Sequence, residues 1–385
     1  MSRNGWRSFL ALVAANGLFG NVVGLFLPIY FQRIGLTGLQ SGVYFAFTAG
    51  AGILLSLPVG ISTDRTSIVR ILVLGLALAA ANRLGFLFTE TFGWFCVFAL
   101  LGSFGARFFG TGVQALFFKL TGEDNRREAG LYMLANFVSG GLGLILGGWL
   151  IEHFDFRAAF AFGVVANVLL MVMTRGLPKN ETVTLELEEY KRALWQPNVL
   201  LLTAIFFLSS LHWGAEQTSY TPFLHDTLGL SLFSASLYGG LGFCLVGAGT
   251  YLGAILVERK VVRDLPALLG LGFLLAGVFH VLMCVKNVWL SFGFRGLHEI
   301  GDGFVFLVYY HGIAKVFRVE KIGGCAAFVS LFTAIGSLLG ALVSGWLGGK
   351  YGPEWPLILS GVVLASTPLL LRLKDAGFEG EYERV

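Results

Sequence analysis

The chain has 385 residues, of which 56% are hydrophobic and only 13% charged, with a formal net charge of +4. An ordinary soluble domain is roughly 25% charged, so too few polar side chains are present to coat a water-soluble protein of this size. The small positive excess does not point to a nucleic-acid partner; the placement of the positive residues is what carries information.

A helix needs about 20 mostly apolar residues to cross the hydrocarbon core of a bilayer. In chain order the sequence divides into twelve such runs: 8–32, 41–60, 68–88, 92–117, 129–151, 157–175, 198–223, 231–256, 265–285, 288–314, 322–347 and 355–373. The runs are too long for barrel strands and lack strict two-residue alternation. The predicted class is therefore all-α, a polytopic membrane protein. The 36 Phe and 53 Gly suit lipid-facing surfaces and close helix packing. No cleavable signal peptide is expected, because Met1–Gly5 is short and the first apolar run exceeds an h-region. Cys96, Cys244, Cys284 and Cys325 sit singly in apolar stretches and read as small buried hydrophobes.

With the N-terminus inside, twelve spans put 20 of the 27 Lys and Arg on the inner side, the last of them Arg372, Lys374 and Arg384. The outer side receives 4, namely Arg33, Arg157, Lys286 and Lys350, while Arg83, Arg107 and Arg295 fall within runs. This bias satisfies the positive-inside rule and predicts a plasma (inner) membrane protein with both termini cytoplasmic.

The longest polar stretch, Arg175–Asn198, separates runs six and seven and contains Glu186, Glu188, Glu189, Lys191 and Arg192. It reads equally as a solvated linker or an interfacial helix. The expected division is 1–175, a linker at 176–197, and 198–385. The halves echo one another weakly: Gly147-Gly148-Trp149-Leu150 closes run five, and Ser344-Gly345-Trp346-Leu347 closes run eleven. Parallel repeats of this kind are one architecture of secondary transporters.

The loop Gly60-x-x-x-Asp64-Arg65-x-x-x-x-Arg70 resembles the signature between spans 2 and 3 of the major facilitator superfamily. The usual glycine after Asp-Arg is missing, and the later basic residue is displaced to Arg70. Glu258-Arg259 resembles a degenerate second-half copy, and Arg107-x-x-Gly110-x-Gly112 the basic span-4 motif with shifted glycine spacing. Span 5, with Gly140, Gly141, Gly143, Gly147 and Gly148, resembles the glycine-rich motif of drug antiporters without its proline. The resemblance implies two six-helix halves, a cavity lined by spans 1, 4, 7 and 10, and alternating access. It also implies an inner-side latch at Gly60, Asp64, Arg65 and Arg70, echoed by Glu258 and Arg259. Physically, Asp64 ends its span where the next span's N-terminus can receive a negative charge. Arg65 and Arg70 can bridge to carboxylates or simply anchor the inner side.

Ionisable residues inside a bilayer are costly and usually face a partner or a cavity. Span 10 concentrates them: Arg295, His298, Glu299 and Asp302 share one helix face, pairing Arg295 with Glu299 and His298 with Asp302 at i,i+4. Tyr309 and His311 continue down the same span. Span 7 contributes His212, Glu216 and Tyr220 at four-residue spacing. The cavity implied by the resemblance adds Asn16 and Asn21 from span 1 and Arg107 from span 4. Arg83, Gln114 and His280 are further polar residues within spans.

The span-10 patch admits several readings. An Arg moving against a buried carboxylate toggles proton binding, and the Arg295-x-x-His298 pattern is similar to that of proton-coupled sugar permeases, with different acid spacing. Arg107 or Arg295 can grip an anionic substrate. His212, Glu216, His298, Glu299 and Asp302 include suitable metal ligands, but Arg295 beside them opposes a cation, so neither a metal nor a cofactor is expected. A self-neutralised packing network is the plainest alternative.

The sequence has no Gly-x-x-x-x-Gly-Lys-Ser/Thr, HExxH or Gly-x-Ser-x-Gly, and no aqueous stretch long enough for a catalytic domain. An ATP-driven pump and an enzyme are not expected. The expectation is a monomeric, proton-coupled secondary transporter of a small-molecule substrate, leaning toward uptake. A drug or lipid exporter of the same fold and a non-transporting sensor or scaffold are the alternatives.

Overall fold

The computed structural model describes residues 3–122, 125–183 and 186–371. Arg372, Lys374 and Arg384, part of the predicted inner charge, lie outside them. Among the described residues every regular element is helical.

The first predicted run is a broken helix: α1 (Arg3–Gly20) and α2 (Leu27–Arg33) are joined by a 3-10 turn at Gly24–Phe26. Pro28, in the first turn of α2, has no N–H for the carbonyl of Gly24, so it begins a helix more readily than it continues one. Then follow α3 (Gly38–Arg65), α4 (Ile68–Phe88), α5 (Phe92–Thr121), α6 (Arg126–His153) and α7 (Phe156–Met173). A capping box starts α3: Thr37 Oγ1 accepts from the Gln40 amide at 3.2 Å, and Gln40 Oε1 from the Thr37 amide at 2.8 Å.

The central polar stretch contains a short helix, α8 (Leu187–Leu194). It buries Tyr190, Ala193 and Leu194 and exposes Glu188, Glu189, Lys191 and Arg192, so the helical reading of this stretch holds. Beyond it come α9 (Pro197–Pro222), α10 (Leu232–Glu258), α11 (Leu265–Leu282), α12 (Val288–Val316) and α13 (Ile322–Tyr351), then α14 (Glu354–Ser366) and α15 (Pro368–Leu371). Ser231, Asp264 and Asn287 cap α10, α11 and α12 by accepting from backbone amides three residues on.

Nine helical segments among the described residues are long and apolar enough to cross a membrane. The other three predicted runs are the broken α1–α2 pair, the 13-residue α14 with α15, and α12, which is 29 residues long but carries the span-10 charges. Each of the twelve runs thus coincides with a helical segment.

The chain forms two compact units. The first comprises Met1–Thr121, Ser139–Glu186 and Val319–Phe328; the second comprises Gly122–Val138, Leu187–Arg318 and Val329–Val385. The first unit is cored by an aromatic cluster of Tyr30, Phe31, Tyr44, Phe86, Phe95, Phe156 and Phe160. Most of its ring contacts are edge-on or tilted, as the ring quadrupole favours.

In the second unit α12 packs against both α10 and α11, and α14 against α11 and α9. Glycine permits the closest of these approaches. A Cβ on Gly301 of α12 would lie 2.7 Å from the carbonyl oxygen of Gly272 in α11, and one on Gly249 of α10 would lie 2.7 Å from that of Ile300 in α12. These contacts hold α12 and its polar face deep within the unit.

Candidate functional site

The polar face of α12 meets α9 and α11 in a buried ionic cluster. Arg295, His298, Glu299 and Asp302 of α12, His212 of α9 and His280 of α11 are each no more than 4% exposed. The Glu216 side chain, at 17%, is the most open of the charged groups.

Arg295 is the electrostatic centre. Its two terminal nitrogens donate to the two carboxylate oxygens of Glu216, one of them in a short contact and the other at 3.2 Å. Glu299 Oε1 lies 2.6 Å from the second nitrogen, the i,i+4 pair expected from the sequence. The guanidinium carbon also sits 4.3 Å above the Tyr220 ring, a cation–π contact in a desolvated setting. Glu216 and Tyr220 therefore do share the face that the four-residue spacing implied.

Asp302 is held from α9. Trp213 Nε1 donates to Asp302 Oδ2 at 3.1 Å, and His212 Nε2 lies 3.1 Å from the same oxygen. His298 Nε2 is 3.9 Å from Asp302 Oδ2, so the second expected i,i+4 pair is present but looser. His298 Nε2 also lies 3.2 Å from Glu216 Oε1, and His280 Nδ1 lies 3.4 Å from it. The three imidazoles are mutual neighbours, with ring centroids 4.6 to 5.7 Å apart.

Beside the cluster is an aromatic wall. Trp213, partly exposed, stacks on Phe306 at 5.1 Å and 8°, and Phe306 abuts Phe137 at 5.1 Å. One polar group, Trp213 Nε1, thus joins an apolar panel to the charged centre.

Two residues of this site were not picked out from sequence. His280 was one of several isolated polar residues in apolar runs; only the packing of α11 on α12 gives it partners. Trp213 reads as a lipid- or core-facing aromatic until its indole N–H is seen on Asp302. His311, further along α12, belongs elsewhere: its Nδ1 lies 2.9 Å from Asn125 Oδ1.

The signature-loop residues lie in the other unit. Asp64 is fully buried at the end of α3. Its Oδ1 accepts from the Gly323 amide at 3.1 Å and its Oδ2 from the Gly324 amide at 2.9 Å. These amides are in the first turn of α13, where donors lack helical partners and the dipole favours an anion. The negative charge is therefore received by α13, not by the next helix, α4. Lys119 of α5, 3.2 Å from Asp64 Oδ1, is a basic partner, and the Arg65 and Arg70 side chains are exposed. Gly60 allows this approach, since a Cβ there would lie 2.7 Å from the Gly323 carbonyl oxygen. Asn180 secures the same loop: its Oδ1 accepts from the Ile68 amide at 2.8 Å, and its Nδ2 donates to Thr66 O at 3.2 Å.

Glu258 and Arg259 are exposed at the end of α10 and line a shallow cavity of about 280 Å³ with Arg127 and Tyr251. Asn16, Asn21 and Arg107 belong to the first unit. Asn21, just past the end of α1, donates from Nδ2 to Gly17 O at 3.0 Å, and the Arg107 guanidinium lies beside Gly52.

Comparison with known proteins places this geometry in a family. The family described as the Major Facilitator Superfamily matches residues 9–280 and 264–381. The chain is 24% identical over 368 residues to the quinolone resistance protein NorA of Staphylococcus aureus (strain COL), covering 90% of each chain. It is 23% identical over 365 residues to the uncharacterized MFS-type transporter YttB of Bacillus subtilis (strain 168), again covering 90% of each. Among solved structures it resembles the crystal structure of the human organic anion transporter MFSD10 (TETRAN), with a TM-score of 0.73 and 15% identity, over 96% of this chain and 99% of that one.

Proposed function

The chain belongs to the Major Facilitator Superfamily, a family of multi-pass membrane transporters, and from that premise we propose that it is a proton-driven secondary transporter that exports a small organic solute by alternating access of its two halves. The observation that carries this reading is the charge balance of the buried cluster. The cluster holds three carboxylates, Glu216 and Glu299 on the Arg295 guanidinium and Asp302 among the histidines, a formal charge of −2 when the histidines are neutral. Such an excess inside a membrane calls for compensating cations. The aromatic wall of Trp213, Phe306 and Phe137 beside it suits an apolar or aromatic solute.

Similarity along nine-tenths of the chain to a protein named for quinolone resistance favours export. It outweighs the lean toward uptake drawn from the span-10 pattern and the missing span-5 proline. An anion-gripping role fits Arg295 poorly, because both of its terminal nitrogens already face carboxylates. We place the protein in the plasma membrane as a monomer, with both termini cytoplasmic.

The test is flux in proteoliposomes with an imposed proton gradient. A fluoroquinolone and a panel of amphiphilic dyes and organic acids would serve as probes, in wild type and in Glu216→Gln and Asp302→Asn. Gradient-driven movement that both substitutions abolish is the expected result. Movement indifferent to the gradient would end the proton reading, and no movement of any probe would favour a sensor or scaffold.

A further inference from the structure

We infer that His212, His298 and Asp302 form a binding site for a divalent transition-metal ion, with Glu216 and His280 positioned as further ligands. The argument begins with where each imidazole places its proton. His212 Nδ1 lies against Ser209 O in a short contact, and His298 Nδ1 is 2.7 Å from Ala276 O. A carbonyl oxygen only accepts, so Nδ1 carries the hydrogen in both rings. His280 Nε2 lies 3.2 Å from Ser360 Oγ, whose own hydrogen goes to Leu357 O at 3.0 Å. Hence His280 Nε2 donates, and its Nδ1 is left as a lone pair.

With the rings neutral, all three imidazoles turn a lone pair into the cluster, where they meet carboxylate oxygens. His212 Nε2 faces Asp302 Oδ2 at 3.1 Å, and His298 Nε2 and His280 Nδ1 face Glu216 Oε1 at 3.2 and 3.4 Å. Acceptors set against acceptors need a cation between them, a proton on the ring nitrogen or a metal ion, and three imidazoles converging with two carboxylates suit the metal. His298 Nε2, His280 Nδ1 and Asp302 Oδ1 are buried without hydrogen-bond partners, a cost that ligation to a metal removes.

The spacing fits. Metal–nitrogen bonds of about 2.0–2.1 Å in a tetrahedral site give ligand–ligand edges of about 3.3 Å. The ligand atoms of His212, His298 and Asp302 all lie within 4.8 Å of one another, as do those of Glu216, His280 and His298. An outward N–H on a backbone carbonyl and a tryptophan N–H on the carboxylate are the outer hydrogen bonds that orient metal ligands. Arg295, which argued against a cation from sequence, is matched here by Glu216 and Glu299. A divalent ion balances the formal −2 that remains. Imidazole with carboxylate suits zinc, cobalt, nickel or ferrous iron, and not the oxygen-seeking magnesium or calcium.

Metal binding rests on the transport reading only in taking the cluster as an ion site. It is measured without flux, so either can fail alone. The full chain, tag-free and chelator-treated in detergent, would be titrated with Co2+ as a spectroscopic probe and then with Zn2+. One Co2+ per chain with visible absorption of tetrahedral strength, displaced by Zn2+, is expected. His298→Gln, His212→Gln and Asp302→Asn should each weaken binding by about a hundredfold, the upper end of what even outer-sphere changes cost. His225→Gln, at an exposed histidine paired with Asp226, should leave it unchanged. No Co2+ binding by wild type, or binding equal in wild type and His298→Gln, overturns the site. Should those variants fold poorly, X-ray absorption on Zn2+-loaded wild type decides: two or more imidazole ligands support the site, and fewer overturn it.

Discussion

Glu216 of α9 grips Arg295 of α12 through both carboxylate oxygens, and the same guanidinium lies over Tyr220, one turn further along α9. The two helices are thus tied by a fork whose partners are both desolvated, where removing one partner costs more than the pair contributes. Arg295→Met should destabilise the protein by about 3–5 kcal/mol, because the Glu216 and Glu299 carboxylates then lack their cation. Adding Glu216→Gln to Arg295→Met should recover part of that loss, with a coupling on the order of 1–3 kcal/mol. Melting in detergent of the two single variants and the double measures it; strictly additive shifts would mean that the fork contributes nothing as a pair.

Asp64 is the corresponding point in the first unit. Its two oxygens serve two backbone amides at the start of α13 as well as Lys119. An Asn side chain keeps the size but offers one oxygen and turns an N–H toward a donor. Asp64→Asn should cost about 3 kcal/mol, and Lys119→Met in the same chain should return some of it by removing the stranded ammonium. Melting curves of the four proteins check this. A double variant less stable than Asp64→Asn would show that Lys119 matters for something other than Asp64.

These two sites differ in how far they could be read from sequence. The face of α12 was legible because helical periodicity alone gathers Arg295, His298, Glu299 and Asp302, and charges in an apolar run stand out. The partners were legible only in part. His212, Glu216 and Tyr220 follow from their spacing on α9, but His280 has no local pattern, and its role depends on α11 meeting α12 at Gly272 and Gly301. Asp64 was marked by its motif, yet the amides that donate to it, in α13, lie some 260 residues away in the chain, beyond any periodicity. The break between α1 and α2 escaped because hydropathy is blind to backbone hydrogen bonds, and Pro28 was its one local sign.

Asn180 bridges the Ile68 amide and the Thr66 carbonyl across more than a hundred residues of sequence. It stands in for the N-cap that Ser67, the residue ahead of α4, does not supply with its own side chain. Asn180→Ala should cost about 1 kcal/mol, the usual effect of losing a cap, and should speed proteolysis at residues 177–183. Cobalt binding at the α9–α11–α12 cluster should be unaffected. Unchanged proteolysis would mean that the Val183 amide bond to Asp64 O holds the segment by itself.

Two glycines of one helix should respond in opposite directions. At Gly301 an added Cβ would fall 2.7 Å from Gly272 O and 2.5 Å from the Ala276 amide nitrogen, both backbone atoms that cannot swing aside. Gly301→Ala must push α12 off α11, at about 1–3 kcal/mol for overpacking. The same shift would strain the His298 Nδ1 bond to Ala276 O, so cobalt binding should weaken together with stability. At Gly293, earlier in α12, nothing lies within 4 Å of the added atom, and alanine is the better helix former by about 1 kcal/mol. Gly293→Ala should therefore melt at or above wild type and bind cobalt normally. Equal destabilisation by both would show that helix stiffness, and not the close approach of α11, governs this span. Loss at Gly301 alone would tie the geometry of the charged cluster to that single contact.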